Sequence, residues 1–92
     1  MRIVEEYNDF QDDLIEIRTA NYIGDFAIRI LFSDGTKRLV DFKPFLETSL
    51  HPSIRKYLDE TKFKQFEIVD GNLNWNHYDL IFPLEDLYKG EI

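Results

Sequence analysis

The two histidines, His51 and His77, are the side chains that could begin a transition-metal site, because the sequence contains no cysteine. Zinc in proteins is usually held by four nitrogen, sulfur or carboxylate ligands, so both histidines would need carboxylates brought beside them by the fold. His77 lies close to Asp79, but a histidine beside an aspartate near a turn is usually an ordinary hydrogen-bonded or exposed residue. We therefore predict no metal and no cofactor. A small-ligand or metal-dependent enzyme that uses His51, His77 and nearby carboxylates is the alternative.

Nucleophilic and acid–base catalysis also lack a recognisable arrangement. Ser33, Ser49 and Ser53 are not in the strand–turn–helix context that exposes a catalytic serine. Asp34 and Asp41 could form an acid–base pair across a hairpin, but a turn explains Asp34 and the end of a strand explains Asp41. The four glycines are scattered singly, so the sequence contains no glycine-rich phosphate loop. These patterns favour a protein that is not an enzyme.

The elements that would position these residues are clearest between residues 25 and 42, where two apolar strands flank a turn. Asp34 tolerates the turn, and Gly35 supplies the positive φ that other residues resist. With Gly35 as the left-handed residue of the loop, Phe32 lies opposite Thr36 and the side chains separate into two faces. A slip of one residue would mix those faces, so we predict this register. The apolar face then contains Phe26, Ile28, Ile30, Phe32, Val40 and Phe42.

The other face of this hairpin is polar, yet it also carries Leu31 and Leu39. Its charged residues are Asp25, Arg29, Lys37 and Asp41. Apolar side chains on an otherwise polar face indicate that a second layer or a binding partner covers part of it. Leu31 and Leu39 are therefore candidate interaction residues.

The rest of the sequence alternates short strand and helix signals. Residues 14–22 are strand-like, and residues 66–69 and 73–75 indicate a second hairpin. Short helices are indicated by three prolines and one capping aspartate, at Pro44, Pro52, Asp59 and Pro83. This order predicts an α+β fold with a small, largely antiparallel sheet built from two hairpins and short helices packed on one face.

Composition indicates a small acidic protein. The 92 residues carry a formal net charge of −7 and are enough for a single domain, 1–92. Two basic and seven acidic groups give residues 1–25 a charge of −5, so residues 1–14 are an acidic N-terminal segment before a core at residues 15–88. This segment is either a solvated stretch or a surface for a basic partner.

The same composition bears on partners and location. Phosphate backbones are bound by clustered Lys and Arg, so we predict no direct nucleic-acid binding. The sequence has no signal-peptide pattern at its start and no apolar run of about 20 residues, so we predict no membrane association. The absence of cysteine fits a reducing compartment, and we predict a cytoplasmic location.

Three runs of sequence resemble a known bacterial family: FSDGTKRLVDFKPFL, YLDETKFKQFEIVDGNLNWNHYDL and PLEDLY. The family is domain of unknown function 2442, and the likeness covers residues 15–88. The matching positions are Phe32, Asp34, Gly35, Val40, Asp41, Leu58, Phe63, Trp75, Asp79, Leu87 and Tyr88. The chain departs from the family between Trp75 and Asp79, where family members usually have a glycine-containing turn.

The resemblance implies a small α+β domain like the N-terminal domain of members fused to a helix-turn-helix segment. Such domains are often encoded beside another small protein, and a toxin–antitoxin-like role has been suggested for these pairs. The resemblance supplies no catalytic residue.

Trp75 and Tyr78 are further candidates for an interaction surface, because Trp and Tyr are frequent in binding hot spots. The alternative for Trp75 is a core position, since a buried indole needs only one hydrogen-bond partner. A small sheet also has edges that must be covered or paired. We therefore expect a non-catalytic protein-interaction or regulatory module, antitoxin-like, which binds a partner protein or forms a homodimer.

Overall fold

In the computed structural model, which describes residues 15–92, alternating apolar and polar side chains form two three-stranded antiparallel sheets. The first sheet contains, in this spatial order, β1 (Ile17–Gly24), β2 (Ala27–Phe32) and β3 (Lys37–Asp41). The second contains β4 (Glu67–Val69), β5 (Asn72–Trp75) and β6 (Leu80–Ile81). The predicted α+β class is confirmed. The two predicted hairpins lie in separate sheets, and each gains a third strand.

Short helices connect and follow these strands. They are α1 (Lys43–Thr48), α2 (Pro52–Arg55), a 3₁₀ turn (Lys56–Leu58), α3 (Glu60–Phe63) and α4 (Leu84–Lys89). None of them is long and apolar enough to cross a membrane.

The helix starts agree with the signals in the sequence. Pro44 lies in the first turn of α1, Pro52 begins α2, and Pro83 directly precedes α4. Asp59 caps α3, because its carboxylate accepts a hydrogen bond from the backbone N–H of Thr61 at 3.0 Å. The strand predicted at residues 14–22 is β1, which begins and ends later. Leu14 and the rest of the acidic N-terminal segment lie outside the described residues.

The first hairpin has the predicted register. Ile30 pairs with Arg38 and Ile28 pairs with Val40. The loop is closed by two hydrogen bonds, from the N–H of Phe32 to the carbonyl of Thr36 at 2.8 Å and from Gly35 to Phe32 at 3.0 Å. The apolar face of the hairpin therefore points into the molecule as a set.

Asp34 and Gly35 have the structural roles predicted for them in this turn. The carboxylate of Asp34 accepts hydrogen bonds from the N–H of Thr36 at 2.9 Å and from the hydroxyl of Tyr88 at 2.6 Å. Gly35 has a φ of 89°, in the left-handed region that favours glycine. The contact with Tyr88 also ties the turn to α4, so the hairpin end is fixed from both sides.

Replacing Gly35 by valine is expected to lower the free energy of unfolding by about 1–3 kcal/mol. A Cβ at this position would meet no atom within 4 Å, so the loss comes from left-handed backbone strain rather than from a clash. Urea unfolding measures it, with Gly35→Asn as the control, because asparagine tolerates the left-handed region better. Equal losses in the two variants would contradict the strain explanation.

Both sheets contribute to one hydrophobic core. The inner face of the first sheet packs against Leu46 of α1, Phe63 of α3 and Leu87 of α4, and β5 adds Leu73 and Trp75. All five of these side chains are at most 1% exposed. The centre of the core is aromatic: the rings of Phe42 and Trp75 contact each other, and both contact the rings of Phe63 and Phe82. Because the chain is short, large aromatic side chains supply much of the volume of its core.

Candidate functional site

The face of the first sheet that points away from the core is the first candidate site. Strand pairing places Thr19 beside Leu31, Asn21 beside Arg29, and Arg29 beside Leu39. We call this surface the outer face. It consists of Thr19, Asn21, Ile23, Ala27, Arg29, Leu31, Lys37, Leu39 and Asp41.

Apolar side chains are exposed on the outer face. Leu39 is 59% exposed and Ile23 is 45% exposed, while Leu31 is half-buried. The buried residues of α1, α3 and α4 all belong to the core on the opposite side of the sheet. Within residues 15–92, then, these three helices leave the outer face uncovered, and the two leucines predicted from the sequence both lie on it.

The charges on the outer face are mostly basic. Arg29 and Lys37 lie on neighbouring strands beside the two leucines, and Asp41 is at the far end of β3. Neither Arg29 nor Lys37 forms an ion pair with another residue of the described part of the chain. The face therefore has Arg29 at its centre, apolar side chains around it and Lys37 at its edge, and its net charge is basic although the whole chain is acidic.

Trp75 and Tyr78 lie away from the outer face, in very different surroundings. Trp75 is 1% exposed, and its indole N–H donates a hydrogen bond to the carbonyl of Phe63 at 2.7 Å. This packing supports the core interpretation of Trp75. Tyr78 is 59% exposed, on the turn after β5.

That turn has an unusual backbone, which the sequence did not reveal. Asn76, His77 and Tyr78 have φ values of 51°, 56° and 69°, three consecutive non-glycine residues in the left-handed region. Each such residue costs about 1–2 kcal/mol relative to ordinary backbone, and a run of them is rare. The only signal in the sequence is indirect: this is where the chain lacks the glycine-containing turn of the family it resembles.

The side chains of Asn74 and Asp79 stabilise this turn, and Asn74 does so from the strand before it. Asn74 is 3% exposed, and its amide oxygen accepts a hydrogen bond from the backbone N–H of Tyr78 at 2.7 Å. The backbone N–H of Asp79 also donates to the carbonyl of Trp75 at 2.9 Å. These bonds close the turn from within β5.

Asp79 is the second support. Its carboxylate accepts hydrogen bonds from the ammonium group of Lys56 at 2.7 Å and from the hydroxyl of Tyr57 at 2.8 Å. The bond from Lys56, and after it the bond from Tyr57, lowers the pKa of Asp79. Burial, followed by the bond to Asp79, raises the pKa of Tyr57 to about 12. These bonds connect the turn after β5 to the 3₁₀ turn that contains Lys56 and Tyr57, which lies far from it in the sequence.

A pocket of about 330 Å³ opens beside this turn and is the second candidate site. The side chains with polar groups that line it come from three places in the sequence: Lys56, Tyr57, Lys62, Gln65, Glu67, Asn76 and His77. The buried ring of Trp75 contributes to its wall. Its volume is at the lower end of the range for small-molecule sites.

The residues named for the enzyme alternative lie in separate places. His51 precedes α2 and is not among the residues that line the pocket, whereas His77 is. In residues 15–92, no three or more His, Asp or Glu side chains are grouped as metal ligands. Asp34 and Asp41 do not form the pair considered above, because Asp34 is in the turn of the hairpin and Asp41 pairs with Ala27 at its open end.

Comparison with known proteins agrees with the resemblance noted above. A family model described as "Protein of unknown function (DUF2442)" matches residues 17–92, which include all six strands and all the helices described here. No curated protein and no solved structure matches the chain. The family match covers most of the chain. The chain therefore belongs to the DUF2442 family, whose function is unknown.

Proposed function

We propose that this chain is a non-catalytic interaction module that binds a partner protein through the outer face. The observation that carries the proposal is the exposure of Leu39, at 59%, on the same face as Leu31 and Ile23, in a sheet whose opposite face forms the core. Apolar side chains grouped on one face mark contact sites more often than single scattered ones do. We further propose that the protein acts in the cytoplasm, consistent with the absence of cysteine.

The size of the outer face favours a slender partner element. Strands about 4.8 Å apart with residues about 3.3 Å apart give three strands a face of roughly 14 Å by 17 Å. A stable contact between two folded proteins commonly buries about 800 Å² on each side, which this face alone does not provide. A single helix about 10 Å wide fits it well. The proposed occupant is thus one amphipathic helix of the partner, rather than a second copy bound face to face.

Charge completes the description of the partner. Arg29 and Lys37 border the leucines, so acidic residues beside the apolar stripe of the partner helix would complement them. Two copies of a chain with net charge −7 repel each other, which further disfavours self-association. We propose the small protein encoded beside the gene as this partner, in a regulatory pair of the antitoxin-like kind.

The test is the affinity of this neighbouring protein for matched variants of the chain, measured by titration calorimetry. Leu39→Ser is expected to weaken binding by at least about tenfold, because burying a leucine contributes about 1.5–3 kcal/mol. Leu50→Ser is the control, since Leu50 is 91% exposed and lies between α1 and α2, away from the outer face. It should bind like the original chain, and circular dichroism should show both variants folded.

Two results would contradict this proposal. Equal affinity of Leu39→Ser and Leu50→Ser for the neighbouring protein would remove the outer face as the binding site. Light scattering of the chain alone at micromolar concentration shows whether the outer face binds a second copy of the chain. A monomer is expected. A dimer that Leu39→Ser dissociates would assign the face to a second copy instead.

A further inference from the structure

The pocket beside the left-handed turn has features that the interaction module does not use. Its lining is dominated by hydrogen-bond donors: the ammonium groups of Lys56 and Lys62 and the side-chain amides of Gln65 and Asn76. The imidazole of His77 adds a further N–H. We propose that this pocket binds a small organic anion, a molecule that carries a phosphate or carboxylate group.

The two lysines are arranged differently, and both arrangements suit an anion. Lys56, which lines the pocket, is held by Asp79 at 2.7 Å, and this restrains its ammonium group and leaves two of its N–H groups for other acceptors. Lys62 is paired with Asp59 at 3.5 Å, a longer contact between two half-exposed side chains. Such exposed pairs contribute little, so Lys62 can exchange Asp59 for a ligand at small cost.

The sequence around the two lysines of the pocket is locally basic. Residues 52–66 contain four basic and two acidic side chains, in a chain whose net charge is −7. Each lysine has one carboxylate partner, Asp79 for Lys56 and Asp59 for Lys62, so an anion would bind through the remaining N–H donors rather than through an excess of positive charge. Glu67 is the one carboxylate among the residues that line the pocket, and it could accept a hydrogen bond from a hydroxyl or amino group elsewhere on the ligand.

The strained turn accounts for how the pocket keeps its shape. Asn76 and His77 line the pocket from left-handed backbone, and contacts with Asn74 and Asp79 hold that backbone in place. Strain of this kind is concentrated at ligand-binding and active sites, where it holds groups in position before the ligand arrives. Preformed donors increase affinity because less freedom is lost on binding.

The experiment is a titration of the full chain, labelled with ¹⁵N, with sodium phosphate and separately with sodium citrate. Sodium chloride keeps the ionic strength constant. Saturable chemical-shift changes are expected at the amides of Lys62, Gln65, Asn76 and His77. Saturation with phosphate alone would indicate a phosphoryl ligand, and saturation with citrate alone a carboxylate ligand. Shifts that rise linearly with both anions would overturn the proposal.

Two variants with the same change of charge separate a site from a general attraction. Lys62→Glu is expected to weaken the binding of the effective anion by about tenfold, through loss of one charge-assisted hydrogen bond and gain of a repulsive charge. Lys89→Glu, in the last turn of α4 and not among the residues that line the pocket, changes the net charge equally and should leave the affinity nearly unchanged. Equal weakening in both variants would mean that the anions respond only to net charge, and the pocket would not be a binding site.

Discussion

Replacing Phe63 by alanine is expected to lower the free energy of unfolding by about 3–5 kcal/mol. The ring of Phe63 is 0% exposed, and its centroid lies 5.3 Å from that of Phe26, 5.5 Å from Phe42 and 5.6 Å from Trp75. Its removal would leave a cavity among side chains from several elements, which cannot all move inward together. A small domain has about 5–15 kcal/mol of stability in total, so this variant should be close to unfolding.

Urea unfolding followed by tryptophan fluorescence measures this effect, because Trp75 is the only tryptophan and touches the ring of Phe63. Phe45→Ala is the matched control. Phe45 is only half-buried, and its ring contacts that of Phe82 at the edge of the core. The control should lose clearly less stability than Phe63→Ala. Similar losses would show that the aromatic cluster has no centre at Phe63.

The first hairpin could be predicted in detail from the sequence because its determinants are local. A turn residue that accepts positive φ, Gly35, and strict alternation on both sides of it fix the register without knowledge of the rest of the fold. The same alternation placed Leu31 and Leu39 on the outer face. Helix starts at Pro52 and Asp59 were predictable for the same reason, since capping depends on neighbouring residues.

The second sheet shows where such prediction ends. β6 is only Leu80–Ile81, too short for any periodic pattern, and it forms because Asn74 and Trp75 offer a partner strand. The separation of the two hairpins into two sheets likewise depends on how the aromatic core packs between them. Neither feature has a local signal.

The two candidate sites differ in the same way. The outer face follows from alternation, whereas the pocket depends on a backbone conformation that its own residues disfavour. Asn76, His77 and Tyr78 adopt left-handed backbone because Asn74 and Asp79 hold them. Asp79 is itself anchored by Tyr57, which is 22 residues away in the sequence. Trp75 and Tyr78, close neighbours in the sequence, therefore have opposite environments, one in the core and one in solvent.

Replacing Asn74 by alanine tests whether these contacts hold the turn. The substitution removes the oxygen that accepts a hydrogen bond from the N–H of Tyr78 at 2.7 Å, and it leaves a cavity where a 3% exposed side chain was. An unmade bond of this kind costs about 1–3 kcal/mol, and the cavity adds to that loss in the free energy of unfolding. Urea unfolding gives the value. Asn21→Ala, at an exposed position on the outer face, is the control and should change stability by less than about 0.5 kcal/mol.

His77→Gly is the complementary change, and it should act in the opposite direction. Glycine adopts left-handed backbone without the strain that histidine meets at a φ of 56°, so this variant is expected to gain about 0.5–1 kcal/mol after its greater freedom in the unfolded state is taken into account. If Asn74→Ala lowers the free energy of unfolding and His77→Gly raises it, the left-handed backbone of this turn is strained and is held by the contacts of Asn74. A neutral or destabilising His77→Gly would mean that the turn is relaxed in solution, and the pocket would then lose its preformed wall.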